Sequence, residues 1–261
     1  MTTILERIVA ETRADLALNP RERVRLERAI TQRAQAPLNA FDILKSPGPH
    51  IIAEVKRSSP SAGVIREGVE PVRLAQTYAQ AGAAAISVLT EPRHFGGSLD
   101  DLSRVSAEVT IPSLRKDFII DEVQLLEARL HGASIVLLIV TALKPKELAS
   151  LIAFAESLDL LALVEAHDAD EVAHAVDAGA RFIGVNNRNL HDFSIDLNRS
   201  AALRNHIPEG VLAVTESGIN TPEDLGRLSQ AGYDIFLIGT RLMSSDTPGV
   251  TLKRFREAGI R

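Results

Sequence analysis

The sequence predicts a single (β/α)8 barrel, an α/β fold of the TIM-barrel class, with an N-terminal helical extension capping it. Three observations carry that prediction. The 261 residues match the usual size of one such barrel. A four-fold echo, Ala81-Gly82-Ala83, His131-Gly132-Ala133, Ala178-Gly179-Ala180 and Ala231-Gly232-Tyr233, precedes four short apolar runs. Four further apolar runs alternate with these, giving eight strands and about 50 residues per pair of βα units.

In chain order, the predicted strands are 51–56, 84–89, 113–116, 134–140, 160–165, 181–185, 211–216 and 234–238. They are short and almost continuously apolar, as expected of parallel strands buried on both faces. Each echo glycine closes a helical pattern, because a residue just past a helix end often needs φ > 0. Those helices open on acidic or proline-containing starts: Glu70-Pro71, Asp121-Glu122, Asp168-Ala169-Asp170 and Thr221-Pro222-Glu223-Asp224. Proline suits a first helical turn, where its missing N–H would be unpaired anyway. Eight units favour a closed barrel over an open doubly wound sheet, and no G-x-G-x-x-G follows the first strand. Residues 1–48 fall outside the repeat, leaving 49–261 for the barrel in one domain. Residues 4–17 and 21–36 read as two helices rich in Arg and Glu, interrupted at Asn19-Pro20, and predict a lid or plug over one end.

Composition narrows the function. Net charge is −5 and no basic, aromatic-interleaved patch occurs, which argues against nucleic-acid binding. With zero cysteines there is no disulfide, thiolate metal site or Cys nucleophile. No apolar run reaches about 18 residues and no leader is visible, so the expectation is a cytoplasmic chain with no membrane partner. The seven histidines are scattered over predicted loops and helix surfaces, and His50 precedes the first strand. None pairs at metal-ligand spacing on a shared inward face, so no metal and no cofactor are expected. Nothing in the residues favours a monomer over a homodimer.

The polar residues fall in a pattern. Alternate residues of a barrel strand point inward. Ile52, Glu54 and Lys56 share a face, as do Leu114 and Lys116, and Leu161, Leu163 and Glu165. Phe182, Gly184 and Asn186 follow the same rule, and so do Val214 and Glu216. Every inward set begins apolar and turns polar at its C-terminal end, where barrel enzymes build their active sites. Three carboxylates and two ammonium groups thus converge on one mouth. Burying each ion costs several kcal/mol, so a barrel built only for stability would carry Val, Ile or Leu there. The plainer alternative, a structural ion-pair network, explains the cluster less well than an active site. Glu216-Ser217-Gly218 and Gly239-Thr240 end strands 7 and 8, whose loops usually cradle phosphate. Ser58-Ser59-Pro60-Ser61 after strand 1 could add hydroxyl donors, although Ser and Thr also serve as helix caps. A phosphorylated small molecule is the expected partner.

Seven motifs, each at a strand end, carry a resemblance. They are Ile52-Ala53-Glu54-Val55-Lys56-Arg57-Ser58-Ser59-Pro60-Ser61, Ser87-Val88-Leu89-Thr90-Glu91 with Phe95-Gly96-Gly97-Ser98, and Leu114-Arg115-Lys116-Asp117-Phe118-Ile119-Ile120-Asp121. Leu163-Val164-Glu165-Ala166-His167, Ile183-Gly184-Val185-Asn186-Asn187-Arg188-Asn189-Leu190, Glu216-Ser217-Gly218-Ile219 and Phe236-Leu237-Ile238-Gly239-Thr240 complete the set. In this order they resemble the indole-3-glycerol phosphate synthases of tryptophan biosynthesis over nearly the whole chain. The resemblance implies a carboxy-lyase that closes 1-(2-carboxyphenylamino)-1-deoxyribulose 5-phosphate to indole-3-glycerol phosphate with loss of CO₂ and water. It implies Lys116 as general acid and Glu165 as general base. Lys56 would hold the substrate carboxylate and share the acid role. Glu54 and Asn186 would orient the substrate, and Glu216 would tune the lysines. Arg188, Ser217 and Pro60 match further site positions, Phe95 and Phe118 would wall the aromatic ring, and Ser59, Gly218, Gly239 and Thr240 would hold phosphate.

Thr240 stands where Ser is common in that family, Ser58 where some relatives carry a basic residue, and the chain has no Trp. Three alternatives stay open on the residues alone. One is the sister isomerase barrel of the same pathway, which the absence of cysteine opposes. The others are an aldolase using a Schiff base on Lys116 or Lys56, and a non-catalytic barrel that binds a phosphorylated ligand.

Overall fold

The computed structural model describes residues 3–17, 22–32, 36–60, 63–66, 68–189 and 192–259. Its centre is a closed parallel barrel of eight strands: β1 (His50–Val55), β2 (Ala85–Leu89), β3 (Ser113–Lys116), β4 (Ile135–Ile139), β5 (Leu161–Ala166), β6 (Phe182–Asn186), β7 (Leu212–Glu216) and β8 (Ile235–Ile238). Closure comes from β1 pairing on one side with β2, through Ile52 opposite Ala85, and on the other with β8, through His50 opposite Ile235. All eight strands fall where the apolar runs predict them, with ends shifted by a residue or two. The largest change is at the fourth run, where Val140–Ala142 leaves the strand for a single 3₁₀ turn.

Twelve helices accompany the strands among the described residues. The segment before the barrel supplies α1 (Ile4–Ala17), α2 (Glu22–Gln32) and α3 (Ala40–Lys45). Then follow α4 (Pro71–Gln80), α5 (Leu99–Glu108), α6 (Glu122–Leu130), α7 (Pro145–Ser157), α8 (Ala169–Asp177), α9 (Asn198–Leu203), α10 (Pro222–Gln230), α11 (Thr240–Met243) and α12 (Pro248–Ala258). Local chemistry sets their ends. Glu70, Asp121, Asp168 and Thr221 each accept a backbone N–H of the first turn, at Arg73, Val123, Glu171 and Asp224 respectively. The expected glycine stops adopt the left-handed conformation, as at Gly82 (φ 92°) and Gly132 (φ 83°).

Two apolar layers hold the structure together. Outward strand residues such as Ile51, Val88, Leu138, Val164 and Phe236 pack under the helices. Inward residues Ile52, Leu114, Leu137, Leu163, Phe182, Val214 and Leu237 fill the barrel. The first segment caps both ends of this inner layer, where the sequence predicted one. Leu5 and Val9 of α1 enter it from the C-terminal mouth, whereas Ala40 and Leu44 of α3 enter from below. Arg181, just before β6, stacks 4.0 Å from the centre of the Phe41 ring and fixes α3 at that lower end. Helix α2 lies on the flank, tied by Arg23 Nη1 to Glu122 Oε2 at 2.6 Å. It ends at Gln32, and Ala36 is no longer helical; the Asn19-Pro20 break lies outside the described residues. Among the described residues, no helix is long and apolar enough to cross a membrane.

Candidate functional site

At the C-terminal mouth lies a cavity of about 290 Å³. Glu54, Lys56, Pro60, Phe95, Lys116, Phe118, Glu165, Asn186, Arg188, Glu216, Ser217, Gly218, Gly239 and Thr240 all line it. Of the residues singled out in the sequence only Ser59 is not placed, since its side chain, like all of Ser61, lies outside what is described. Alternation along the strands explains the convergence. Glu54, Lys116, Glu165 and Glu216 each sit two positions beyond an apolar inward residue, above the filled layers of the barrel, and Lys56 follows Glu54 in the same phase just past the end of β1.

Lys116 occupies the middle of the floor. Its Nζ donates to Glu165 Oε2 at 3.0 Å and to Glu216 Oε2 at 2.9 Å. Lys56 Nζ lies 2.7 Å from Glu54 Oε1 in a second pair. Asn186 Nδ2 donates to Glu165 Oε1 at 3.1 Å, and its Oδ1 accepts the backbone N–H of Arg188 at 3.0 Å. Two glycines make room for the carboxylates. A Cβ at Gly184 would stand 2.8 Å from Glu216 Oε1, and one at Gly239 would collide with the Glu54 carboxylate.

These contacts decide a balance that the sequence leaves open. Burial works to strip the proton from Lys116, but Glu165, Glu216 and Glu54 outweigh it and hold the ammonium above the ordinary lysine range. Burial also pushes Glu165 upward, yet Lys116, His167 and the Asn186 amide win and take it down to about 2. Glu216 goes the other way, to about 7, because burial and the neighbouring Glu165 and Glu54 charges exceed the pull of Lys116. One ammonium shared by two carboxylates thus leaves one firmly ionised and the other titrating near neutrality. The arrangement presents a charged lysine, an ionised carboxylate and a proton-exchanging carboxyl side by side.

The walls differ in character. Phe95 and Phe118 stand with ring centroids 5.9 Å apart and planes tilted by 42°, forming an aromatic wall. Opposite are Ser217, with φ 67°, and Gly218, with φ 83°. Ile4, Leu5 and Ile8 of α1 form the roof.

Comparison with known proteins now identifies the relatives. The family model of indole-3-glycerol phosphate synthase matches residues 5–255. The chain belongs to the indole-3-glycerol phosphate synthase family. A synthase of that name from Parafrankia sp. (strain EAN1pec) is 48% identical over 247 residues, covering 94% of this chain and 91% of its own. One from Streptomyces griseus is 45% identical over 259 residues, covering 98% and 96%. Among solved structures, an N-acetylmannosamine-6-phosphate 2-epimerase from Clostridium perfringens matches with a TM-score of 0.61 at 15% identity, covering 77% of this chain and 89% of that one. A 3-hexulose-6-phosphate synthase gives 0.61 at 16%, covering 80% and 99%. At such identities the likeness shows a shared barrel alone.

Membership in the synthase family places this chain among enzymes of the lyase class, and a phosphorylated small-molecule substrate is consistent with that family. Several residues that sequence reasoning passed over also shape the pocket. The Glu91 carboxylate accepts the backbone N–H groups of Arg93, His94 and Phe95 at 2.9, 2.6 and 3.0 Å, and so sets the loop that carries Phe95. Asp117 Oδ1 accepts the N–H of Phe118 at 2.8 Å, while its Oδ2 accepts from Thr90 and the buried Arg115. His94 Nε2 meets Glu11 of α1 at 2.8 Å, linking the roof to the same loop. His167 lies on the loop after β5, as expected, yet its side chain is nearly buried there, 3.5 Å from Glu165. Its signal was available: it follows Glu165 by two and keeps the inward phase of β5.

Proposed function

We propose that this chain closes 1-(2-carboxyphenylamino)-1-deoxyribulose 5-phosphate to indole-3-glycerol phosphate, releasing CO₂ and water as a carboxy-lyase. The observation that carries this reading is the Lys116 ammonium, held between Glu165 and Glu216 beneath an aromatic wall. Phe95 and Phe118 would offer the anthranilate ring a wall, and the Lys56 ammonium, which lines the same cavity, would hold the ring carboxylate. Gly218, Gly239 and Thr240, with Ser59, would take the phosphate through backbone N–H and hydroxyl groups.

The chemistry follows from the charges. As the aromatic carbon attacks the ketone carbon, the carbonyl oxygen becomes a far stronger base than an amine. Lys116, tightly protonated in the resting site, then gives up its proton downhill. Loss of CO₂ restores the aromatic ring. Lys116, reprotonated through Glu165, gives a second proton to the new hydroxyl, which leaves as water, and Glu165, ionised again, takes the proton whose removal completes the indole. Glu54 and Asn186 orient the substrate, with Arg188 and Ser217 contacting its polar groups. Glu216 adjusts the charge on Lys116. A Schiff base on Lys116 is disfavoured, because it needs a neutral amine and three carboxylates keep Lys116 charged.

Indole fluorescence tests the proposal directly, since the chain has no Trp. Addition of the deoxyribulose phosphate to the protein is expected to produce it. Lys116→Ala and Glu165→Gln are each expected to lose about 10²–10⁴-fold in turnover. No indole from the wild-type protein refutes the reaction, and unchanged turnover in either variant removes that residue from the mechanism.

A further inference from the structure

The proposed reaction has an unbalanced proton. It turns a carboxylate into neutral CO₂, so each turnover takes up one proton from water. That proton has to reach the Lys116–Glu165 couple while the pocket holds substrate or product. Glu165 itself is only 2% exposed, and its first route to water runs through the occupied cavity.

A second route lies behind it. His167 Nε2 stands 3.5 Å from Glu165 Oε1, on the side away from Lys116, and is buried without a hydrogen-bond partner of its own. The ring is held from its other edge, where Nδ1 lies 3.1 Å from Glu171 Oε2. Glu171 is itself fixed, accepting the His167 backbone N–H at 2.8 Å on Oε2 and the Thr141 hydroxyl at 2.7 Å on Oε1. Both His167 and Glu171 line a second cavity of about 760 Å³ beneath the other side of α1. An imidazole so placed stands between two spaces: its Nε2 edge meets the base, and on its other side the Nδ1–Glu171 pair borders a separate cavity.

We propose that His167, backed by Glu171, delivers a proton from this second cavity to Glu165, and so resets the acid–base couple without opening the substrate pocket. The inference rests on the reaction proposed above. His167 touches no reacting atom; it acts through Glu165 as a positioning and relay residue. In the step, the His167 Nε2–H bond breaks, its electron pair stays on nitrogen, and an O–H bond forms on Glu165 Oε1. Glu165 passes a proton from Oε2 to Lys116 Nζ, 3.0 Å away. The neutral imidazole then turns toward the second cavity and regains a proton from water.

Surrounding charges support the role. Facing the imidazole are Glu165 on β5, Glu216 on β7, and Asp168 and Glu171 at the start of α8. Glu6 and Arg13 of α1, and Arg199 after β6, stand across the cavity. Burial lowers the proton affinity of His167, but the Glu171 contact and the Glu165 charge more than offset it, so the ring keeps its proton above the usual histidine range. A loaded donor next to the base is what proton delivery requires.

The test uses the full chain and the indole fluorescence assay. His167→Gln keeps a polar side chain of similar reach but cannot titrate. It is expected to lower kcat by about tenfold, less than the loss of a group acting on substrate, with KM within about twofold. The wild-type decline of kcat at high pH should disappear in this variant, and its solvent deuterium effect should rise. His167→Ala should lose as much, and added imidazole should restore it. Glu171→Gln should weaken turnover in the same direction. Wild-type protein producing indole with one proton consumed per product confirms the underlying reaction; no indole at all overturns both. Indole formation in which His167→Gln keeps kcat and the wild-type pH profile overturns the relay alone, as does a loss in His167→Ala that imidazole leaves unchanged.

Discussion

Glu216→Gln probes how the pocket floor shares its charge. The fold raises the Glu216 carboxyl from its ordinary 4.5 to about 7. A raised value means that the folded chain binds the proton more tightly than the unfolded one. The associated stability is therefore full below 4.5 and is lost as pH rises through 7. At about 1.4 kcal/mol per pH unit, that window corresponds to about 3 kcal/mol. Gln imitates the protonated acid in shape and still offers Lys116 an oxygen, but it has nothing to ionise. Wild type and variant should thus be nearly matched at about pH 4, and the variant more stable by about 3 kcal/mol at about pH 8.5. Glu165 does not confuse the comparison. Its value is lowered to about 2, so its contribution is lost only as pH falls toward that value. Urea unfolding at the two pH values measures the gap. A difference between the proteins that does not grow with pH, or that favours wild type at the higher pH, refutes the assignment of the titrating proton to Glu216.

Three other perturbations test separate parts of the structure. Gly239→Ala places a methyl group against the Glu54 carboxylate; the protein should fold normally by circular dichroism while turnover falls about tenfold. Ile8→Ala in α1 removes a 2%-exposed side chain from the roof and should cost ~2–5 kcal/mol in urea unfolding, with a raised KM from the loosened lid. Arg115→Met strands Asp117 and Glu127, which the guanidinium holds at 3.0 Å each. Leaving buried charge unpaired should cost ~3–5 kcal/mol in thermal or urea unfolding, and a loss under about 1 kcal/mol would show that Asp117 is held by Thr90 and Phe118 instead.

What was legible in the residues was what is local. Strand phase, glycine stops and helix caps depend on neighbours a few positions away, so β1 to β8 and the inward carboxylates could be read from alternation alone. Helix α3 could not. Its six residues, Ala40–Lys45, carry no pattern of their own, and their role exists only because a barrel end waits beneath them. Glu91 and Asp117 were missed for another reason. Asp117 lies one residue beyond the inward Lys116, out of phase with the strand's pocket residues, whereas Glu91 keeps the inward phase of Leu89 but spends its carboxylate on backbone N–H groups of the following loop. The direction of the Lys116 proton balance was hidden as well, since it depends on three carboxylates drawn from β1, β5 and β7.

The capping of both barrel ends by the opening segment bears on how the chain reaches its native state. Leu5, Val9, Ala40 and Leu44 pack on Ile52, Leu163, Phe182 and Leu237, side chains that share a surface only once the last strand has joined the first. The segment that precedes the barrel in the chain consequently has no complete seat until β8 is in place. Closure of the cylinder is therefore a precondition for covering either of its ends.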